Sequence, residues 1–403
     1  SYFDENRDYS TAVEKELLEK NRKIKGFPVV SSSKREGYSL DYEYKFSDSL
    51  TFLNTVYFQR YSREFTEETF MDYEIPKLGS MPFDILGKNL PVSMNGRFKE
   101  DTVGAKTRGQ YIYERGELIL GYDYSYTKLL RDSKIRASGE FFPKPIPNLK
   151  LNGDVRIDLK NNIFKESNAI YGLNRYNLTD KWELISGVRY EHSRFGGQRD
   201  SETEIKSMST IHEYKSIEDT KRSDNYAFEI GTNYRYSDSG TIFTRYERGF
   251  TSPLPGQITD KVNMNYLSND LKSEISNNFE VGIRDFVANT SINLSLFAIF
   301  THDEIVLIQK NAHNPAIKEW QYKNLNEVKK LGGELYLEQY FEKLTTYQSF
   351  SYVNTEITKG VYKGEELAMV PKGKIILGAG FDITEKMKFD VNFNLIGNYI
   401  VKE

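Results

Sequence analysis

The sequence predicts an all-β protein, a transmembrane antiparallel up-and-down β-barrel, from three observations. Segments of about ten residues alternate between apolar and polar side chains, which is the pattern of strands in such barrels. The gaps between these segments are by turns short and long. No apolar run approaches the roughly 20 residues that a transmembrane helix needs. Outer-membrane barrels have this asymmetry because their tight turns face the periplasm and their long loops face outside.

The gap lengths carry most of this argument. The short gaps are 47–49, 115–116, 177–181, 237–240, 286–290, 341–344 and 383–386. The long gaps are 61–103, 193–222, 250–273, 305–330 and 358–370. Alternation alone also fits a soluble antiparallel sheet with one solvated face. A soluble sheet, however, has no reason to keep all of its short turns at one end of the strands.

The direction of the side chains follows from the alternation. The most regular case is 151–159, where Val155 and Ile157 occupy one face and charged residues occupy the other. We expect the apolar faces to contact lipid and the polar faces to line a water-filled lumen. The charges predicted to line the lumen are Asp154, Arg156, Glu229 and Arg235.

Pairing segments across short turns predicts eight hairpins and therefore about 16 strands. The hairpins are 37–60, 104–127, 132–158, 167–192, 223–249, 274–304, 331–357 and 371–400. The barrel is thus predicted to occupy residues 37–403. Residues 1–36 are predicted to be an extracellular loop, in which the charged residues 11–25 form either a short surface helix or an irregular polar segment.

Composition excludes several classes of protein. The chain has 403 residues, no cysteine and a net charge of −3, so neither a disulfide scaffold nor a nucleic-acid-binding surface is indicated. Its 29 tyrosines and 25 phenylalanines suit strands and membrane interfaces. The sequence contains no nucleophile elbow and no phosphate-binding glycine loop, so no enzyme activity is predicted.

Five short motifs resemble those of TonB-dependent outer-membrane receptors. They occur in the order expected for that family, on strands of suitable length. The motifs are GVRYE at 187–191, YERGFTSP at 246–253, LKSEISNNFEVGIR at 271–284, the asparagines of 324–326 with GGE at 332–334, and VP at 370–371. Ser273 stands where the family usually has proline.

The resemblance covers residues 30–403 and implies a barrel of 22 strands with an N-terminal plug domain. Such receptors import scarce ligands, most often an iron–siderophore complex, with energy from TonB. No plug or TonB box is recognised in this sequence, and no cofactor is expected. The chain is therefore predicted to be an internal piece of a longer receptor, in which three strands are missing at each end and the TonB complex acts through the plug.

Candidate ligand-binding residues lie in two of the long gaps. In the first gap, arginine and aromatic side chains together suit an anionic catecholate chelate through charge and stacking. Ordinary strand-end and loop packing is the alternative for the first group, and a solvated loop histidine is the alternative for His313. The candidates are Arg60, Tyr61, Arg63, His313, Trp320 and Tyr322. No histidine occurs in 250–273, where a haem receptor of this family is expected to carry one, and no metal site is predicted.

The sequence therefore predicts an active-transport receptor of a Gram-negative outer membrane, in contact with outer-membrane lipid, that imports an iron–siderophore complex. The sequence leaves two alternative functions open. One is a passive porin-like channel, and the other is a soluble, tyrosine-rich β-repeat surface protein. No fixed repeat of 20–50 residues is evident, which counts against the second alternative.

Overall fold

A computed structural model describes residues 2–10, 28–75, 85–143, 150–206, 210–254, 257, 271–309, 320–360, 362–368 and 370–398. These residues form one antiparallel sheet of 15 strands. The strands are β1 (Tyr2–Ser10), β2 (Pro28–Lys45), β3 (Leu50–Ile75), β4 (Ile85–Tyr113), β5 (Gly116–Pro143), β6 (Leu151–Thr179), β7 (Trp182–Lys206), β8 (Thr210–Arg235), β9 (Thr241–Thr251), β10 (Glu274–Val287), β11 (Thr290–Gln309), β12 (Trp320–Tyr340), β13 (Leu344–Lys359), β14 (Gly373–Thr384) and β15 (Met387–Ile396).

Every strand pairs with its neighbours in sequence order, which is the up-and-down topology predicted from the sequence. All seven predicted short turns are present between β2 and β15, and the alternation of direction places them at one end of the sheet. β1 and β15 do not pair in the described part of the chain, so the sheet is an unclosed, partial barrel. The prediction of about 16 strands is confirmed to within one strand.

The strand boundaries differ from the prediction. Residues 132–143 and 151–158 are not separate strands but continue β5 and β6, and the end of β5 and the start of β6 lie at the edge of the sheet away from the short turns. The predicted turn itself lies outside the described residues. Most of 61–103 and of 193–222, predicted as long loops, is also paired strand. The reason is that paired strands satisfy each other's backbone hydrogen bonds whatever their side chains are, so pairing continues beyond the lipid-facing apolar residues.

Strands also occur within residues 1–36, where the sequence predicted a loop. β1 pairs with Pro28–Glu36, the part of β2 that precedes the predicted start of the barrel. The helix predicted over 11–25 lies outside the described residues. The boundary at residue 37 and the extracellular location of 1–36 therefore remain proposals.

One face of the sheet carries a continuous band of apolar side chains. Registered partners share a face, so this outer face can be followed from β2 to β15. Leu40 is 73% exposed, Val188 65% and Leu296 55%, although all three are aliphatic. So large an exposed apolar surface requires a hydrocarbon environment. No helix among the described residues is long and apolar enough to cross a membrane.

Aromatic residues border this band at both edges. The upper girdle, on the side away from the short turns, includes Tyr38, Phe58, Tyr126, Tyr190, Tyr226, Tyr246, Phe279 and Tyr352. The lower girdle, beside the short turns, includes Tyr111, Tyr113, Tyr176, Trp182 and Tyr234. Neighbouring rings contact one another, as Tyr190 and Tyr226 do at 5.1 Å between centroids. Two aromatic girdles around an apolar band are typical of transmembrane barrels.

The sheet continues beyond the upper girdle as a tall extension, made of 59–75 and 85–102 (β3 and β4), 127–143 and 151–169 (β5 and β6), and 191–206 and 210–225 (β7 and β8). Here the apolar side chains change faces. Val155 and Ile157 point to the inner face, where they are 2% and 1% exposed. They belong to a buried cluster formed by Leu90, Val92, Ala137, Phe141, Val155, Ile157, Leu159 and Ile205.

The predicted orientation of the side chains in 151–159 was therefore wrong, because the apolar ones point inward and the charged ones outward. Asp154 and Arg156 lie on the outer face of the extension and do not line the lumen. Other charges share this face, as in the ion pair of Arg136 and Asp158, whose nitrogen and oxygen are 2.6 Å apart. The reason is that water rather than lipid surrounds the extension, so the apolar residues pack together inside.

The outer face of the extension also contains a carboxylate whose hydrogen bonds predict a pH effect. Asp200 accepts hydrogen bonds from Ser216, Tyr214 and Gln198 at 2.7, 2.9 and 3.1 Å. The bond from Ser216 is the main cause that lowers the pKa of Asp200. Because the folded state has the lower pKa, this stabilisation is complete above the ordinary carboxyl pKa and is lost as pH falls through the folded value.

We therefore expect the β7–β8 hairpin to open more readily below about pH 4. Asp200→Asn should remove this acid sensitivity and make exchange at pH 3 and pH 7 more alike. Hydrogen exchange of residues 198–222 at the two pH values measures the effect. Asp219→Asn, on the inner face of the same hairpin, is the control. An unchanged pH dependence in Asp200→Asn would contradict the assignment.

Candidate ligand-binding wall

Three arginines form one row on the inner face of the extension, above the upper girdle. The register places Arg63 opposite Phe98, Phe98 opposite Arg131, Arg131 opposite Asn161, and Asn161 opposite Arg199. Cations therefore occur on alternate strands, with a ring and an amide between them. Registered residues in neighbouring strands lie about 5 Å apart, so successive arginines of the row lie about 10 Å from each other. We call this set the arginine row.

The row is held in place by polar and aromatic contacts. Arg63 Nε donates a hydrogen bond to Ser31 Oγ at 2.9 Å, and its guanidinium lies 5.8 Å from the ring of Phe65. Tyr61 packs edge-on against Phe98 with 5.6 Å between centroids. The Asn161 side-chain oxygen is buried without a hydrogen-bond partner among the described residues. The arrangement suits an anionic, aromatic ligand.

A further cation lies on the same face as the row, four residues along β6 from Asn161. Lys165 of β6 is on the inner face, five positions beyond Ile170 of the apolar band. Its burial lowers the pKa of the ammonium, whereas the charge of Glu191 acts in the opposite direction. A half-buried cation gains from an anionic ligand, because the ligand replaces the hydration that burial removes. Sequence analysis missed Lys165, Arg131 and Arg199, because strand parity identifies them only when the register is known.

The lumen wall below the row carries paired charges. Arg189 Nη1 lies 2.8 Å from Asp123 Oδ2, bridging β7 and β5 across the intervening strand, and its guanidinium is 5.7 Å from the ring of Tyr171. Arg245 pairs with Glu229 at 2.6 Å and with Glu247 at 2.9 Å. Such groups tolerate the membrane interior because they face a polar lumen and have partners.

A recess of about 410 Å³ lies beside the Arg245–Glu229 pair, towards the short turns. Arg175, Glu183, Glu229, Arg245 and Arg284 are among its lining residues. Glu229 therefore lines the lumen as predicted from the sequence. Arg235 shares its face on β8, at the end of the strand. Leu173, Ile185 and Phe243 also line the recess, so its lining is a mixture of charged and apolar side chains.

A chain of small polar side chains crosses the wall at the level of the upper girdle. Glu191 accepts hydrogen bonds from Ser193 at 2.8 Å and from Ser252 at 3.2 Å. Asn225 donates to Ser252 at 3.3 Å, and Ser223 contacts Ser273 at 3.1 Å. Ser252 and Ser273 bound the connection between β9 and β10. Both ends of that connection are thus attached to the wall.

Asn324 joins two of the sequence motifs. Its side chain accepts a hydrogen bond from the amide of Lys272 at 2.9 Å and donates one to the Lys272 carbonyl at 3.0 Å. It also donates to the carbonyl of Asp303 at 2.6 Å. The motifs at 271–284 and 324–326 therefore meet in space, and the amide fixes the start of β10 against β11 and β12.

The candidate residues from the sequence do not form one site. Tyr61 and Arg63 lie on the inner face of β3, and Arg35 stacks over Tyr61 at 5.4 Å. Arg60 lies on the opposite face, where its Nε is 2.7 Å from Asp101 Oδ1. Its guanidinium covers Phe58 of the upper girdle at 5.3 Å, so Arg60 is not in the arginine row.

The second group of candidates lies on β12, nine strands from β3 in the sheet. Tyr322 pairs with Leu307, and Trp320 pairs with Gln309 at the end of the β11–β12 hairpin. His313 lies outside the described residues. The role of Trp320, Tyr322 and His313 as ligand contacts therefore remains a proposal. Among the described residues, no group of three or more acidic or histidine side chains is placed to hold a metal ion.

The sheet order, the two girdles and the charged inner wall define an outer-membrane β-barrel of the transport type. The profile of the family described as "TonB dependent receptor-like, beta-barrel" matches residues 1–402. The chain belongs to this family, whose members are transport receptors of the outer membrane.

Comparison with individual proteins agrees with this family assignment. A probable TonB-dependent siderophore receptor, PiuA of Acinetobacter baumannii, is 24% identical over 268 residues, which cover 58% of this chain and 33% of PiuA. Among solved structures, the ferric yersiniabactin uptake receptor FyuA from Yersinia pestis is similar with a TM-score of 0.63 at 15% identity, over 94% of this chain and 52% of FyuA.

The solved structure of PiuA from Acinetobacter baumannii gives a TM-score of 0.56 at 15% identity, over 91% of this chain and 54% of PiuA. At these identities, the structural likeness shows the fold alone. The chain spans about half the length of these solved receptors.

Proposed function

We propose that this chain is the wall of an outer-membrane receptor that binds an iron–siderophore complex above the membrane and imports it with energy from TonB. The arginine row is the observation that carries the ligand assignment. A ferric siderophore with net negative charge and aromatic chelating groups matches the guanidiniums of Arg63 and Arg131 with the Phe98 ring between them, whereas Arg199 at the end of the row is buried. The TonB requirement rests on family membership.

The alternative of a soluble surface protein requires the apolar face to be covered by protein. The outer band is instead exposed over the described strands, with an aromatic girdle at each edge. A passive channel remains the competing function, because it shares the barrel and the charged lumen. Dependence on TonB distinguishes the two.

Transport is tested in a strain that lacks the complete gene, grown under iron limitation with single siderophores and radioactive iron. We expect uptake of at least one ferric siderophore to be lost, and to be lost equally in a strain without TonB. The complete gene should restore uptake only where TonB is present. Uptake that needs the gene but not TonB would support a passive channel.

The site is tested with matched arginine variants of the complete receptor. We expect Arg63→Ala and Arg131→Ala each to weaken binding of the ferric siderophore about tenfold, because each removes a charge-assisted contact. Arg60→Ala is the control, because Arg60 lies one position from Tyr61 and three from Arg63 on β3 but points to the other face. Titration calorimetry or fluorescence quenching measures the affinity.

Equal losses for Arg60→Ala and Arg63→Ala would contradict an inner-face site. Unchanged affinity in Arg63→Ala, Arg131→Ala and the double variant would exclude the arginine row from ligand binding. Loss of uptake in the deletion strain together with unchanged affinity would keep the proposed function and reject only this site.

A further inference from the structure

A groove on the lipid-facing side of β11–β15 interrupts the otherwise convex apolar band. Its volume is about 460 Å³, and its lining is almost wholly apolar. The floor is backbone, because glycines occupy the outer face of the sheet at Gly333, Gly373 and Gly397. Leu296 and Leu335 border it on one side, and Leu395 borders it on the other.

The groove lies within the apolar band and ends at the upper girdle. Tyr352, which is 58% exposed, stands at this upper end. Lys372, paired with Glu366 at 2.6 Å, immediately precedes Gly373. An apolar groove at this depth cannot hold ordered water, because it has few polar atoms to bind it. The medium that faces the band is hydrocarbon, so hydrocarbon is what enters the groove.

We propose that this groove is a binding site for one acyl chain of an outer-membrane lipid. The chain lies along the glycine floor between the leucine walls, and the lipid headgroup lies beside Tyr352 and Lys372. Burial of methylene groups against the glycine backbone gives this chain more contact than a lipid on the convex part of the band receives. The site is separate from the arginine row, on the opposite face of the sheet.

Gly373→Leu tests the proposal by filling the groove. A Cβ at this position meets no atom closer than 3.6 Å, a backbone oxygen of Ser351, so the backbone of the sheet leaves room for a side chain to start here and extend into the groove. Ala105→Leu adds similar bulk to the lipid-facing side of β4, away from the groove, and is the matched control. Native mass spectrometry of the complete receptor, after graded detergent washing, counts the retained lipids.

We expect the wild type and Ala105→Leu to retain one lipid after extensive washing. In Gly373→Leu, occupancy of that last lipid should fall about tenfold, the effect of excluding roughly two methylene groups. Leu395→Trp, which narrows the groove from the other side, should do the same, and heat-modifiable migration confirms that each variant has folded.

Equal retention in the wild type and in both groove variants would overturn the proposal. A dimer that dissociates in Gly373→Leu without a change in lipid would also overturn it, because a second copy would then be the occupant. The third contradicting result is an equal loss of the retained lipid in Ala105→Leu and in Gly373→Leu, which would show that lipid binding is not specific to the groove.

Discussion

Leu296→Arg is expected to prevent assembly of the barrel into the outer membrane. Leu296 lies near the middle of the apolar band and is 55% exposed on its outer face. An arginine at the bilayer midplane costs about 2–4 kcal/mol in a transmembrane barrel. That cost is a large fraction of the stability of an ordinary domain. Folded receptor in outer-membrane fractions, measured by heat-modifiable migration, should fall severalfold.

Ser295→Arg is the matched control, because it places the same charge one residue away on the inner face. The register sets Ser295 opposite Glu334 on β12, so the new guanidinium gains a carboxylate in a polar lumen. We expect this variant to assemble at the wild-type level. Normal assembly of Leu296→Arg, or failure of both variants alike, would contradict the assignment of faces.

Ile157→Ala is expected to destabilise the extension by about 2–5 kcal/mol. Ile157 is 1% exposed in the cluster on the inner face, and truncation of a buried isoleucine loses both transfer energy and packing. The loss should appear as faster hydrogen exchange across 151–206, because the cluster joins β4 to β7. The strands between the two girdles should keep their protection, since lipid rather than this cluster supports them.

Arg156→Ala is the control at the neighbouring position. The Arg156 side chain is 58% exposed and lies 3.9 Å from Glu204, so its removal should change stability by less than about 0.5 kcal/mol. If Arg156→Ala were the more damaging substitution, the charged residues would face inward, as the sequence alone predicted. The conclusion that the apolar side chains of the extension point inward would then be wrong.

The contrast between 40–46 and 151–159 shows what the sequence could predict. Both segments alternate regularly, and period two identifies a strand in each. The alternation does not say which medium lies outside. Leu40 contacts lipid whereas Ile157 is enclosed by protein, and the difference depends on height above the membrane. Height follows from register and strand length, which a single sequence does not specify.

The turns could be predicted because their chemistry is local. Ser47 closes the β2–β3 turn by accepting a hydrogen bond from the amide of Leu50 at 3.1 Å, and small polar residues of this kind mark turns in any sequence. The long hairpins were missed for the opposite reason. Their residues are polar on the outer face, so 193–222 looks like a loop although backbone pairing continues through it.

The candidate site was predictable in part. Tyr61 and Arg63 were selected for their chemistry, and strand parity alone separates them from Arg60, since neighbouring residues on a strand point to opposite faces. Arg131 and Arg199 each lie at least 68 positions from Arg63 along the chain. Only the strand register aligns these two arginines with Arg63. Long-range register is the information that the sequence lacks.

Spin-label accessibility along β11 tests the central claim most directly. This chain has no cysteine, so single cysteines at 292–297 can each carry a nitroxide in a complete receptor from which any other cysteine has been removed, reconstituted in lipid. We predict that labels at Ile292, Leu294 and Leu296 are relaxed by oxygen dissolved in the bilayer. Labels at Asn293 and Ser295 should instead be relaxed by a water-soluble nickel chelate. A pattern without period two, or one with the two relaxing agents exchanged, would contradict a lipid-facing band around a wet lumen.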